Sequence, residues 1–293
     1  MAPLLTAVAL SLTALAAPSE AAFPGRDGRI AVPSNRSGNF ELWTVRPNGI
    51  GWRQLTDTPA FDACPAWSPD GTRIAFCSDR TGSLQVFTMR ADGSGVRQIS
   101  RGLAAALFPE WSPDGRRLVF EGTAEDAPGD LYVVDADGTA QHPITTGPAR
   151  DEGPVWSPDG RLIAFASDRA GNPDIYLVHP DGSHLQQLTH DPGLDGSPDW
   201  RPDGGRLAFA SDRAGTFDLY TMGRDGSQVR QLTAGPSDDL LPAWSPDGRR
   251  IVFDRNRMNG DRDLFIVTVK HRKVSAVTED PFSELATSWQ PLP

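Results

Sequence analysis

The chain has 293 residues, a formal net charge of −10 and a pI near 4.9. That acidity argues against nucleic acid or an anionic membrane surface as a partner. Hydrophobic residues make up 38% of the chain, and its 29 glycines and 26 prolines suit many short strands joined by tight turns. The length alone would favour two domains, but the sequence repeats itself throughout, and the repeat takes precedence.

An apolar segment rich in Ala and Leu covers residues 4–17, and small residues follow it up to Phe23. The segment is too short to span a membrane as a helix. It is typical of a secretory signal peptide over residues 1–22, although no Lys or Arg precedes it. An unstructured start is the alternative. We therefore predict export to the periplasm or the medium, and no later segment is predicted to span a membrane.

A heptapeptide of the form Pro-x-Trp-Ser-Pro-Asp-Gly recurs along the rest of the chain, with Arg replacing Ser in one copy. The copies begin at residues 65, 109, 154, 198 and 242, and a degenerate copy covers residues 287–291. Successive tryptophans are 44 or 45 residues apart, a period typical of propellers and solenoids. The tryptophans are Trp67, Trp111, Trp156, Trp200, Trp244 and Trp289.

Each repeat predicts four short antiparallel strands. Pro-Asp-Gly supplies a tight turn between the tryptophan strand and a second strand of the Ile-Ala-Phe type. A third strand ends in an aromatic residue, and a second turn, mostly Asp-Gly, leads to a fourth strand ending in Leu-Thr or a near equivalent. Four such strands form a propeller blade. We therefore predict an all-β fold, a six-bladed β-propeller of four-stranded antiparallel blades.

The first blade is predicted to be split between the two ends of the chain. The strand at residues 30–32 has no tryptophan strand ahead of it, and Trp289 has no strand after it. Blade 1 therefore combines residues 29–56 with residues 286–291, so that the C-terminal strand closes the ring and leaves no exposed sheet edge. The propeller is expected to occupy residues 23–293, with blades 2 to 6 beginning near residues 64, 108, 153, 197 and 241.

The chain contains two cysteines, Cys64 and Cys77. Cys64 precedes Trp67 by three residues and Cys77 follows Ile74 by three. If Trp67 faces Ile74 across the hairpin, the two cysteines also face each other. In an exported protein such a pair could form a disulfide, and two buried free thiols are the alternative. No further ligand cluster accompanies them, so we expect no metal site here.

The loops before each tryptophan strand and after each second strand lie at one end of the propeller, here called the loop face. The two tight turns of each blade lie at the other end, the turn face. On the loop face an acid precedes the tryptophan by five residues, and an arginine follows the first residue of the Ile-Ala-Phe run by six. The acids are Asp62, Asp151, Asp195, Asp239 and Glu284. The arginines are Arg36, Arg80, Arg169, Arg213 and Arg257.

Blade 3 lacks both members of this set, with Ala106 and Ala124 in their places. The joint absence favours ion pairs within each blade that fix the loops. The alternative is a charged ring around the channel mouth that receives a ligand, a peptide or a cation such as Ca²⁺, although paired arginines would oppose a cation. Blades 3 and 6 also depart from the Ser-Asp-Arg-x-Gly loop, at residues 121–126 and 255–260, which indicates drift or a ligand site.

The sequence contains no Gly-x-Ser-x-Gly, His-Glu-x-x-His or phosphate-binding glycine motif. Its five histidines are scattered over turns and strand ends. We therefore predict no catalytic residues and no cofactor.

The consensus PxWSPDGxxIAFxSDRxGxxxIYxxxxDGxxxxxLT, which covers residues 27–291, resembles the TolB-type, WD-repeat-like propeller repeat. Similar repeats form the propellers of prolyl oligopeptidase-like and tricorn-like peptidases, whose separate hydrolase domain is not expected here. The α/β domain that precedes the family's propeller is likewise not expected here. The resemblance implies an exported propeller, expected to be a monomer, that binds a protein, peptide or cell-envelope ligand through its loop face. The alternative is a small lactonase-like hydrolase or sugar lyase-like enzyme with a metal in the channel.

Overall fold

The structure is a computed structural model that describes residues 23–125, 127–257, 260–285 and 287–292. The predicted signal peptide, residues 1–22, lies outside the described residues. Within those ranges, no helix is long and apolar enough to cross a membrane.

Six four-stranded antiparallel sheets form the ring, which confirms the predicted six-bladed propeller. Blade 1 contains β1 (Arg26–Ser34), β2 (Glu41–Val45), β3 (Arg53–Gln54) and β24 (Ser288–Leu292). Blade 2 contains β4 (Asp62–Trp67), β5 (Arg73–Ser78), β6 (Gln85–Arg90) and β7 (Arg97–Gln98). Blade 3 contains β8 (Ala105–Trp111), β9 (Arg117–Thr123), β10 (Gly129–Asp135) and β11 (His142–Pro143).

The other three blades follow the same order from the channel outwards. Blade 4 contains β12 (Asp151–Trp156), β13 (Ile163–Ser167), β14 (Asp174–Val178) and β15 (Gln186–Gln187). Blade 5 contains β16 (Asp195–Trp200), β17 (Arg206–Ser211), β18 (Asp218–Gly223) and β19 (Arg230–Gln231). Blade 6 contains β20 (Asp239–Trp244), β21 (Arg250–Asn256), β22 (Arg262–Thr268) and β23 (Lys273–Ala276).

The C-terminal strand closes the ring, as predicted. β24 pairs antiparallel with β1, and Trp289 lies opposite Ile30. Trp289 donates its indole N–H to the carbonyl of Ala243 in blade 6 at 3.1 Å. The backbone N–H of Trp67 in blade 2 donates to the hydroxyl of Ser288 at 3.0 Å. The last strand is therefore bonded to both neighbouring blades as well as to its own.

The repeated tryptophans form the contacts between blades. Trp111 is fully buried, and its indole N–H donates to the carbonyl of Ala66 in the preceding blade at 3.1 Å. Leu118 and Phe120 of the same blade join Trp111 in a cluster with Ala75 and other residues of blade 2. Each blade thus covers an apolar sheet face that it cannot bury by itself, which explains why the repeat must form a closed ring.

The innermost strands of blades 2 to 6 each contain a β-bulge. In blades 2, 3, 5 and 6 the residue three positions before the tryptophan has a left-handed φ, between 51° and 56°, and Gly153 of blade 4 has a φ of 65°. A proline follows each of them, and it has no N–H to donate to a ladder. The bulge residues are Cys64, Phe108, Gly153, Ser197 and Leu241. The strands begin two or three residues earlier, so the blade starts expected from the sequence fall on the bulges.

The structure joins Cys64 to Cys77 by a disulfide, with 5.5 Å between the Cα atoms. Trp67 lies opposite Ile74, as expected, but Ala63 lies opposite Cys77. The bulge accounts for the difference, because it moves Cys64 out of the ladder. The cysteine then reaches its partner from the bulge.

Replacing both cysteines with alanine should lower the free energy of unfolding by about 3 kcal/mol, the chain-entropy value for a loop of this size. Chemical denaturation of the parent and the double variant measures the difference. Thiol titration of the denatured, unreduced protein, purified after export, should find no free thiol. Two free thiols per chain would contradict the disulfide.

Candidate functional site

Three blades build the same buried ion pair on the loop face. In blade 5, Asp195 is fully buried at the start of β16, and Arg213 lies two residues beyond β17. Nη2 of Arg213 lies 2.8 and 2.7 Å from the two carboxylate oxygens of Asp195, and Nε donates to Ser211 at 2.8 Å. Asp62 with Arg80 and Asp151 with Arg169 repeat this arrangement. Each pair therefore ties together two loops of one blade.

The guanidinium of Arg213 also lies against two aromatic rings of its own blade. Cζ of Arg213 lies 5.4 Å from the ring centre of Phe209 and 5.0 Å from that of Tyr220. An exposed ion pair contributes roughly 0–1 kcal/mol, but here the carboxylate is buried, so losing the arginine would leave an uncompensated charge. These pairs are therefore part of the framework of the loop face.

Blade 6 differs from the prediction, because Asp239 does not pair with Arg257. Its two carboxylate oxygens accept from Nε and Nη2 of Arg255, at 2.6 and 2.8 Å. β21 continues through Arg255, which lies directly opposite Asp239 in the register of the sheet. Arg257 forms an ion pair with Asp263 instead. The longer second strand thus supplies the partner two residues earlier than in the other blades.

Blade 1 makes its pair between the two ends of the chain. Arg36 lies 2.9 Å from Glu284 and 3.1 Å from Asp280, and its Cζ lies 3.2 Å from the ring centre of Trp52. Burial raises the pKa of Glu284 to about 7, and the nearby charge of Asp280 adds to the shift. This pair joins the first and last segments of the described chain at the loop face.

An apolar floor lies across the channel at the level of the bulges. Phe108 of blade 3 packs against Leu240 and Leu241 of blade 6, together with Ala210, and also against the disulfide cluster of blade 2. Blade 6 lies opposite blade 3 in the ring, so Phe108 reaches across the channel. Phe108 remains partly exposed. The residues of the apolar floor are Phe61, Leu107, Phe108, Phe217, Leu240 and Leu241.

Blade 3 departs from the ring of ion pairs, with a buried Ala106 in the acid position and Ala124 in the arginine position. At the position just before the Ser-Asp-Arg-x-Gly loop of the other blades, blade 3 carries Glu121, where blades 4 and 5 have Ala166 and Ala210. The side chain of Glu121 packs against Gly129, where an added Cβ would lie 2.8 Å from Oε1 of Glu121 and would require that side chain to shift. Blade 3 thus has the buried carboxylate of Glu121 and lacks the acid–arginine pair of the other blades.

Glu121, Arg150 and Glu152 form an ionic cluster between blades 3 and 4. Nε of Arg150 lies 2.6 Å from Glu152, and its Nη2 lies 3.6 Å from Glu121. Glu121 is only 2% exposed, and its Oε2 has no hydrogen-bond partner among the described residues. Burial raises the pKa of Glu121 to about 7. Burial, together with the charge of Glu121, raises the pKa of Glu152 to about 8.

This ionic cluster adjoins the apolar floor, because Leu107 of the floor lies directly opposite Glu121 in the sheet. Glu152 directly precedes the bulge residue Gly153, the position that Leu107 holds in blade 3. The side chain of Arg150 is 41% exposed, so the cluster opens to solvent through its arginine. The channel mouth thus combines a partly exposed apolar surface with two carboxyl groups that share a single cation.

Glu121→Ala should make the protein less sensitive to rising pH. The folded-state pKa values of Glu121 and Glu152 lie above their ordinary value of 4.5, at about 7 and about 8. Their contribution to stability is therefore complete below the ordinary pKa and is lost as the pH rises through 7 and 8. Between pH 4.5 and about pH 8, the melting temperature of the parent should therefore fall more steeply than that of the variant. An exposed acid, changed as Glu279→Ala, is the control, and parallel curves for Glu121→Ala and the parent would contradict the assignment.

The sequence located the acid–arginine ring but not the apolar floor or the ionic cluster. A usable signal was present in blades 2 to 6: the residue three before the tryptophan changes from blade to blade, while the proline after it does not. A proline inside a predicted strand indicates a bulge, and a bulge re-aims a side chain. Among the described residues no three His, Cys, Asp or Glu side chains are arranged to hold a metal ion.

A family model described as the TolB beta propeller domain matches residues 15–107, 101–192 and 184–291. No curated protein sequence matches the chain. The structure is similar to that of TolB from Acinetobacter baumannii, with a TM-score of 0.80 and 23% identity over 97% of this chain and 70% of that one. It is also similar to a putative TolB from Agrobacterium tumefaciens, with a TM-score of 0.71 and 22% identity over 91% of this chain and 92% of that one.

An oligogalacturonate lyase in complex with manganese is more distant, with a TM-score of 0.57 and 15% identity over 88% of this chain and 75% of that one. At such identities a structural likeness shows a shared fold alone. The three matches to the family model, by contrast, run through nearly the whole described chain. The chain therefore belongs to the TolB β-propeller family.

Proposed function

We propose that this protein is an exported, non-enzymatic propeller that binds a protein or peptide of the cell envelope through its channel mouth. The observation that carries the proposal is the partly exposed apolar floor around Phe108, which adjoins the buried carboxyl groups of Glu121 and Glu152. Loops and bulges on a rigid frame are where binding groups usually lie. Residues 1–22 and the disulfide between Cys64 and Cys77 support the exported location.

The chemistry of the mouth indicates what such a ligand would carry. An apolar side chain would bury against Phe108 and its neighbours, which gains about 25 cal/mol for each Å² of apolar surface removed from water. A lysine or arginine beside it would be attracted by Glu121 and Glu152, two carboxyl groups that share the single guanidinium of Arg150. We therefore expect a segment with an apolar residue next to a basic one.

The ring of acid–arginine pairs favours this binding role over a metal-dependent hydrolase or lyase. Asp62, Asp151, Asp195 and Asp239 each already have an arginine as partner. A metal would have to displace those guanidinium groups from buried carboxylates, which is costly. The acids are therefore better suited to hold the loops in place around a ligand.

Selection of a display library of random linear peptides on the purified protein tests the proposal. The selected peptides should be enriched in an apolar residue adjacent to Lys or Arg. Calorimetric titration with one such peptide should show binding that Phe108→Ser and Glu121→Ala each weaken at least tenfold. Both substitutions introduce the residue of another blade, as at Ser197 and Ala166.

Leu185→Ser is the matched control, because it removes an apolar side chain that is 46% exposed on the turn face. It should leave the affinity for the peptide unchanged. A selection without enrichment, or a selected peptide that binds Phe108→Ser as tightly as the parent, would contradict the proposed site.

A further inference from the structure

The turn face carries a concentration of positive charge that the net charge hides. The second turns of blades 2 to 5 each contain aspartate, whereas blade 1 has Asn48 and blade 6 has no acid at residues 269–272. Basic residues occupy these two turns and the starts of the strands after them. They include both lysines of the chain. The exposed ones are Arg46, Arg53, Lys270, Arg272 and Lys273.

The two turns adjoin each other across the boundary between blades 6 and 1. Gly49, at the tip of the blade 1 turn, packs directly against the backbone carbonyl of Val277 and has a φ of 78°. Val277 follows β23, the strand that begins at Lys273. Because the tip of one turn rests on the outer strand of the next blade, the basic residues of both blades share one stretch of the rim.

Arg29 extends this surface towards the channel. Its guanidinium donates to the hydroxyl of Thr44 at 2.8 Å and to the carbonyl of Thr44 at 3.0 Å, and also to the carbonyl of Gly51. Burial lowers the pKa of Arg29, and the charges of Arg53 and Arg46 lower it further. These arginines are thus close enough to repel one another. Among the described residues no carboxylate forms an ion pair with any of them.

An apolar side chain lies exposed among these cations. Ile50, between Arg46 and Arg53 in the sequence, is 56% exposed. A surface that combines basic residues with exposed aliphatic side chains is typical of binding at the headgroup region of a bilayer. A nucleic acid backbone would pair with the cations but offers an isoleucine no apolar surface, so the lipid is favoured.

We propose that Arg29, Arg46, Arg53, Lys270, Arg272 and Lys273, together with Ile50, form a basic patch that docks the propeller on an anionic phospholipid surface. The acidity of the whole chain argued against such a partner. Charges separated by more than about 8 Å are largely screened at physiological salt, so the local charge of the patch decides the contact. Docking through the turn face leaves the channel mouth, at the opposite end, free for its own ligand.

Sedimentation with phospholipid vesicles tests the patch. The parent protein should bind vesicles made of equal parts of phosphatidylcholine and phosphatidylglycerol, bind less at raised salt, and not bind phosphatidylcholine alone. The triple variant Arg46→Ser, Arg53→Ser, Lys273→Ser should bind on the order of a hundredfold more weakly, from about 1 kcal/mol for each basic residue at an anionic surface. Ile50→Ser should weaken binding to the same vesicles several-fold.

A second triple variant, Arg116→Ser, Arg161→Ser, Arg230→Ser, removes the same charge from exposed positions in blades 3, 4 and 5 and should bind like the parent. Melting temperatures show whether each variant is folded. Equal binding by the parent and the patch variant, or an equal loss in the control variant, would overturn the proposal. Tighter binding of a DNA duplex than of the anionic vesicles at the same salt would also overturn it.

Discussion

Deleting the chain from Thr287 onwards should lower the melting temperature by more than about 10 °C or prevent folding. The deletion removes β24, whose Trp289 is 5% exposed and contributes to the core between blades 6 and 1. Losing a core tryptophan alone costs about 3–5 kcal/mol, and 1 kcal/mol corresponds to about 2–4 °C in a domain of this size. The deletion also leaves β1 as an unpaired edge and opens the ring.

Two comparisons separate ring closure from the loss of one side chain. Trp289→Ala keeps the strand and should cost less than the deletion, because the backbone pairing with β1 remains. A synthetic peptide with the deleted sequence should restore part of the stability in a concentration-dependent way, by adding the missing strand. A truncated protein that melts within a degree or two of the parent would contradict closure by β24.

Arg213→Ala should destabilise the protein by about 3–5 kcal/mol, because it leaves the buried carboxylate of Asp195 without its cation. Burial already raises the pKa of Asp195, against the hydrogen bonds from Ser211 and Arg213 that lower it. Without Arg213, the pKa of Asp195 should therefore rise further. Chemical denaturation of the variant and the parent at neutral pH measures the difference.

The double variant Asp195→Ala, Arg213→Ala should be more stable than Arg213→Ala, and its cost should be smaller than the sum of the two single costs. Blade 3 shows that a blade folds with alanine at both positions, since it carries Ala106 and Ala124. Additive costs would show that the two side chains act independently, contrary to their contact at 2.7 Å. Arg249→Ala, at an exposed turn position, provides the control for the loss of one arginine.

The repeat in the sequence predicted the architecture because each of its parts answers a local physical demand. Pro-Asp-Gly specifies the turn, and Gly71 adopts the positive φ of 67° that the turn requires. The tryptophan must be covered by a neighbouring blade, and a strand such as β24 needs a partner. The split first blade could therefore be predicted from which strands lacked one. The pairing of acid and arginine followed from their joint absence in blade 3.

The parts that the sequence did not predict depend on small shifts in register or on contacts across the channel. Arg255 replaces Arg257 because β21 continues further before its loop begins. Phe108 reaches blade 6 because a bulge turns it out of the ladder, and sequence spacing does not show which residues meet across a channel. Glu121 and Glu152 come from different blades, and only the tertiary fold brings them to one arginine.

The positions of charges on the surface show the same limit. The overall charge of −10 is an average over two faces of the propeller that differ in their local charge. The five acids predicted on the loop face each have an arginine partner, whereas the basic patch lies on the turn face. The assignment of segments to faces was available from the strand order, so the local charge could have been read from the sequence once the blades were known.

Photo-crosslinking at position 108 is the most direct test of the proposed role of the channel mouth. Benzoylphenylalanine would replace Phe108 in one variant and Leu185, on the turn face, in a second, and each would be irradiated in the cells that make the protein. The proposal predicts a discrete crosslinked partner at position 108, displaced by a display-selected peptide, and no such adduct at position 185. No adduct at position 108, or the same adducts at both positions, would contradict a ligand site at the channel mouth.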